Sequence, residues 1–144
     1  MTEVSFHFNA PDKWSYVCRL LRKAVVRGSK VAVTGEAALL QRLDVDLWTF
    51  SAIDFLPHCT DAAEAGMLAA SPVVFCASLG GYLHHQVLLN LGPGVPAGFE
   101  PFERLIEVVG ISDEDRADSR RRWKYYLDRG YAITRHDLAS KEVH

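Results

Sequence analysis

Residues 4–34 read VSFHFNAPDKWSYVCRLLRKAVVRGSKVAVT, and two changes of period within that stretch decide the fold class. Val4-Ser5-Phe6-His7-Phe8 alternates apolar and polar side chains, the period of a strand that lays one face on a core. Asn9-Ala10-Pro11-Asp12 interrupts the alternation. Trp14, Val17, Cys18, Leu21, Ala24 and Val25 then recur at helical spacing, and Gly28 suits the left-handed residue that ends a helix. Ser29 to Thr34 reads as a second strand, and Leu39, Leu40, Leu43 and Leu47 stripe a second helix after Gly35. A β-α-β-α opening favours parallel strands, right-handed crossovers and helices packed on the sheet. The expected architecture is therefore α/β: a single three-layer, Rossmann-like domain over residues 1–144, its mostly parallel central sheet flanked by helices.

Further along, Pro72 to Ala77 is a continuous β-rich apolar run and Gln86 to Asn90 a shorter one, as inner strands require. Residues 91–98, LGPGVPAG, form a loop. Phe102 to Glu107 reads as a short helical segment before Val108-Val109, although strand and helix are not separable over so short an apolar run. The last long element is better marked. Ser112 caps a helix, Asp115 follows three residues later as in a capping box, and Asp113 and Glu114 suit the positive end of the helix dipole. Arg120, Arg121, Arg122, Lys124 and Arg129 crowd its C-terminal half, Gly130 ends it, and Tyr131 to Thr134 return as a final strand.

With 144 residues, 49% hydrophobic and 24% charged, the chain has the balance of one globular domain and not of a disordered or collagen-like one. No apolar run approaches the roughly 18 residues that a membrane span requires, and Met1 to Phe8 lacks the pattern of a secretory signal, so the expected compartment is the cytoplasm. Cys18, Cys59 and Cys76 are odd in number and form no C-x-x-C pair, which points to reduced, structural thiols. The net charge of −2 hides an uneven distribution: residues 1–35 and 119–144 each carry +4, while residues 36–118 carry −10. A pI near 6.3 argues against a protein that coats duplex DNA, and any anionic partner should meet the basic ends.

Catalytic and cofactor chemistry finds no foothold. Thr34-Gly35-Glu36 supplies one glycine where a dinucleotide fingerprint needs three, and no G-x-x-x-x-G-K-[ST] occurs. Gly80-Gly81 and the 92–98 loop lack the lysine and following helix start of a phosphate cradle. His58 beside Cys59, with Asp54 and Asp61 near, would suggest a thiol nucleophile and its base, but sequence neighbours point apart on regular structure. His84-His85 faces the same objection as a metal site and has no third ligand at suitable spacing. The expectation is a protein with no cofactor, no metal and no reaction of its own.

The final helix offers more. At about 100° per residue, Arg116, Arg120, Trp123, Lys124 and Leu127 fall within roughly 100° of arc, setting three cations around one indole. Such a face suits an anionic ligand with an apolar end, because a guanidinium binds a carboxylate through two parallel hydrogen bonds while Trp and aliphatic stems wall an apolar pocket. A simpler reading has Trp123 and Leu127 packing inward while the basic side chains extend into water.

Phe6-x-Phe8, Gly28-x-Lys30-Val31-x-Val33, Leu43-Asp44-x-x-Leu47-Trp48, Phe55-x-Pro57-His58, and Arg120-x-Arg122-Trp123-Lys124-x-Tyr126 closed by Gly130-Tyr131 follow one another in an order that resembles the chi subunit of bacterial DNA polymerase III holoenzyme. The similarity runs nearly end to end. It implies a small α/β fold without enzymatic activity that links the clamp loader to single-stranded DNA-binding protein (SSB) in replication. One surface docks the psi subunit and another receives the acidic SSB C-terminal tail ending in Pro-Phe; DNA is met only through SSB, and no membrane is involved. By motif, Trp48 and Phe55 fall on the psi-facing surface, and Val109, Arg116, Arg120, Trp123 and Lys124 at tail-binding positions. Trp123 stands where the family often has tyrosine, which keeps a stacking surface but replaces a phenolic hydroxyl with an indole N–H. The rival classes are a nucleotide- or nucleic-acid-handling enzyme on the same scaffold, and a direct single-strand DNA binder using Trp123 and the arginines as a stacking groove.

Overall fold

Every strand pairing in the computed structural model, which describes residues 1–50, 58–60, 73–76, 79 and 85–141, is parallel. The strands are β1 (Glu3–Ala10), β2 (Val31–Thr34), β3 (His58–Thr60), β4 (Val73–Cys76), β5 (Val87–Asn90), β6 (Arg104–Gly110) and β7 (Ile133–Asp137). They form one seven-stranded sheet in the order β3-β4-β2-β5-β6-β1-β7. Four helices accompany them among the described residues: α1 (Lys13–Val26), α2 (Ala37–Phe50), α3 (Asp113–Asp128) and α4 (Leu138–Lys141). This is the expected α/β architecture.

The sheet divides two cores. On one side Val17, Cys18 and Leu21 of α1 and Leu40 and Leu43 of α2 pack on Val31, Val33, Phe75, Leu89 and Ile106. On the other, Trp123 and Tyr126 of α3, with Phe99 and Phe102 from the connection before β6, cover Val4, Phe6, Leu88, Leu105 and Val109. Both faces of the inner strands are thus buried, as a parallel sheet between helix layers requires.

Local chemistry explains most boundaries. The Asp12 side chain accepts from the Ser15 N–H and starts α1, and Gly28, at φ +81°, and Gly130, at φ +79°, close α1 and α3 in the left-handed region that glycine occupies without strain. Ser112 caps α3 by accepting from the Asp115 N–H. The reciprocal half of the expected capping box is redirected, because the Asp115 carboxylate accepts from Gly110 N–H at 2.6 Å and Lys13 Nζ at 3.0 Å, tying the start of α3 to β6 and α1.

Three sequence expectations change. β1 is buried on both faces, since Ser5 and His7 are only 4% and 8% exposed: the polar side of the alternation lies beneath the α1 layer. Phe102 to Glu107 holds no helix, and Arg104–Gly110 is a central strand between β5 and β1, where pairing on both edges outweighs local preference. The final strand starts two residues later than expected, at Ile133, and runs to Asp137.

Candidate functional site

A buried polar network fixes the rotation of α3. Arg122, 2% exposed, donates from Nε to Glu107 Oε1 at 3.0 Å and from Nη1 to the Pro93 carbonyl at 2.9 Å. Tyr126 donates its hydroxyl to Glu107 Oε2 at 2.6 Å, and Asn90 Nδ2 reaches both carboxylate oxygens at 3.1 Å. Burial pushes the Glu107 carboxyl up, while Arg122 and the hydrogen bonds from Tyr126 and Asn90 pull it back down. Burial, then the adjacent Glu107, push the Tyr126 phenol well above its ordinary value, so it stays a donor. With Arg122 and Tyr126 turned inward, the neighbouring turn of α3 presents Arg116, Ser119, Arg120 and Trp123 along a different line.

Those four residues form one wall of a cleft of about 650 Å³. Phe6, Phe8 and Asn9 of β1, Val109 of β6 and Arg135 of β7 complete it. Trp123 packs on Phe6 with ring centroids 5.1 Å apart. The Arg135 guanidinium carbon sits 5.2 Å from the Phe8 ring centroid and 5.5 Å from that of Trp123, two cation–π contacts that hold the charge against the aromatic walls. Arg116 Nη2 donates to Asn9 Oδ1 at 3.3 Å, and Asn9 Nδ2 donates to Asp137 Oδ1 at 2.9 Å. Arg120 is exposed, and its side chain makes no hydrogen bond or ion pair among the described residues. Among the described residues no carboxylate lines the cleft, so three guanidiniums face an aromatic and aliphatic floor. Chemically, that arrangement selects an anion with an apolar end.

The structure brings together Val109, Arg116, Arg120 and Trp123 of the residues expected from sequence. Val109 is 3% exposed and contributes floor. Lys124 is exposed and lies outside the cleft lining, and Leu127, 57% exposed, neither lines it nor packs inward. Trp48 lies in α2 with its side chain outside the described residues, and Phe55 lies outside them altogether. Sequence reasoning missed Phe6, Phe8, Asn9, Ser119 and Arg135 as cleft residues. The strand alternation carried a signal for two of them, because Phe6 and Phe8 share a face and parallel pairing sets Arg135 beside Phe6.

The earlier chemical candidates gain nothing. His58 and Cys59 belong to β3 with side chains outside the described residues, and His84 and Gly80-Gly81 lie outside those residues. His85 packs edge-on against Phe102 at 5.4 Å. Among the described residues there is no cluster of three His, Cys, Asp or Glu side chains able to hold a metal, and no helix long and apolar enough to cross a membrane.

Comparison with known proteins gives the family. The chain is similar to a curated protein of Pseudomonas aeruginosa named DNA polymerase III subunit chi, with 29% identity over 144 aligned positions that cover 96% of this chain and 98% of the relative. The family profile described as DNA polymerase III chi subunit, HolC, matches residues 1–134, nearly the whole length. The chain therefore belongs to the chi-subunit family of DNA polymerase III, an accessory component of the replicative polymerase and not a catalytic enzyme.

Proposed function

We propose that this protein joins the clamp loader of polymerase III, through the psi subunit, to the acidic C-terminal tail of SSB in the cytoplasm, meeting DNA only through SSB. The observation that carries the reading is the cleft in which Arg116, Arg120 and Arg135 surround Phe6, Phe8, Val109 and Trp123 with no carboxylate lining it among the described residues. An acidic peptide ending in Phe matches both halves of that chemistry. Its last ring takes the apolar floor, its terminal carboxylate takes Arg120, and Arg116 and Arg135 meet the acidic groups that precede it. Lys124, outside the lining, adds only screened attraction at the rim. Trp48 and Phe55 are assigned to the psi-facing surface on their motif alone.

Calorimetry with SSB tail peptides tests the reading. A charge-assisted hydrogen bond contributes about 1.5–3 kcal/mol, so Arg120→Ala should weaken binding roughly ten- to a hundredfold, with Lys124→Ala milder. Deleting the terminal Phe from the peptide should abolish measurable binding, since it removes the ring and misplaces the carboxylate. Affinity should fall as salt rises, less steeply in Arg120→Ala. Equal affinity for both peptides, or no loss in Arg120→Ala, would return this helix to a solvated basic face.

A further inference from the structure

On the opposite side of the sheet from the arginine cleft, α1 leaves a groove of about 540 Å³ along β6, β1 and the start of α4. Leu21, Val31, Leu89 and Ile106 line its depth, and Arg19, Lys23, Arg27 and Arg104 stand around it. Arg19 and Lys23 stand about 6 Å apart along one face of α1, and Arg27, its C-cap residue, follows at the same interval of four. All four are exposed, and none of their side chains makes a hydrogen bond or ion pair among the described residues. Among the described residues Asp12 is the one acid in the lining, and its carboxylate already accepts from Ser15 as the cap of α1.

We propose that this groove is a second docking site, which takes an acidic protein segment carrying an apolar anchor. Charge complementarity fixes the first property of the occupant: four cations without an ion pair among the described residues favour a run of carboxylates. The apolar floor fixes the second, because a purely charged ligand would leave it wet. A single nucleic-acid strand fits less well, since sequence-independent strand binding relies on exposed ring faces for base stacking. The rings here are engaged with one another. The Tyr16 hydroxyl pairs with His7 Nδ1, His7 is 8% exposed, and the His7 and His136 rings pack edge to face with centroids 4.6 Å apart. The inference is independent of the SSB-tail reading, because the two sites use different helices on different faces of the sheet.

Amide NMR shifts of the full-length protein provide the test, with an eight-residue peptide of alternating Glu and Leu, acetylated and amidated so that it has no terminal carboxylate. Shifts should concentrate on residues 19–27 and Arg104 and spare residues 116–123. Arg19→Ala combined with Lys23→Ala, both exposed changes whose folding circular dichroism would verify, should weaken binding at least fivefold. A Glu–Gly peptide of the same charge should bind at least fivefold more weakly than the Glu–Leu peptide. No shifts on α1, equal binding by the Glu–Gly peptide, unchanged affinity in the double variant, or stronger binding by an oligothymidylate of equal charge would each overturn the proposal.

Discussion

Asn9 occupies a left-handed backbone conformation at φ 61°, at the point where the register between β1 and β6 shifts after His7. Asparagine tolerates that region better than other side-chain-bearing residues, and here its amide bridges Asp137 and Arg116 of the cleft. Replacement by Gly and by Ala should therefore separate backbone from side chain. Both remove the support of Arg116 and should lower tail-peptide affinity a few-fold. Asn9→Ala should also be the less stable of the two by about 1 kcal/mol, because alanine pays for the left-handed conformation. Urea unfolding of the pair checks this: an alanine variant as stable as the glycine one would mean that the strain has relaxed into the neighbouring loop.

Among the elements, α3 was the most legible in the sequence, because Ser112, the acidic first turn and Gly130 are local signals and the 3.6-residue period set Arg116, Arg120 and Trp123 together. What its spacing did not reveal was which of several adjacent cations is buried. Arg122 looked like one more surface charge, and its partner Glu107, a lone acid inside the apolar run LIEVVG, was the clue that a polar pair had to form. The alternation of β1 puts Phe6 and Phe8 on one face, but Arg135 joins them through pairing between distant strands, which no local period encodes. β3 and α4, with three and four residues, are too short to carry a period at all. The Glu107 network also sets a pH dependence. The Tyr126 phenol is raised in the folded protein, whereas in the unfolded chain it ionises near its ordinary value of about 10. Above that pH the unfolded state binds fewer protons than the folded state, so the contribution of Tyr126 to stability is complete below about 10 and declines as pH rises. Tyr126→Phe should consequently be less stable than wild type by about 1–3 kcal/mol at pH 7, through loss of the hydrogen bond to a buried carboxylate. The difference should narrow at pH 10.5. Urea titrations at the two pH values decide it, and a gap of constant size would remove Tyr126 from the linkage.

At the scale of the whole molecule, the two basic ends of the chain converge because β1 lies between β6 and β7. The arginine cleft draws on β1, β6, α3 and β7 together. The proposed psi-facing residues belong to a different part of the chain, α2 and the segment after it, so the two associations should be separable. Phe55→Ala should weaken binding of the psi homologue by about 2 kcal/mol or more while leaving the SSB-tail affinity intact. Pull-down and calorimetry on the same preparation, with circular dichroism as the folding check, test this; psi association of wild-type strength would refute the assignment of that surface.

The position of β1 also bears on how the protein is made. Glu3 is the first residue of the sheet to leave the ribosome, yet its neighbour in β6 is Arg104, and the partner of Val4 on the other edge is Ile133. At a synthesis rate of about 5–20 residues per second, the nascent strand waits on the order of 5–20 s for its first partner and longer for its second. During that interval the apolar side chains of Val4, Phe6 and Phe8 have no native strand beside them. The arginine cleft, assembled from residues 6–9 and 109–135, comes into being only once Arg135 has been made.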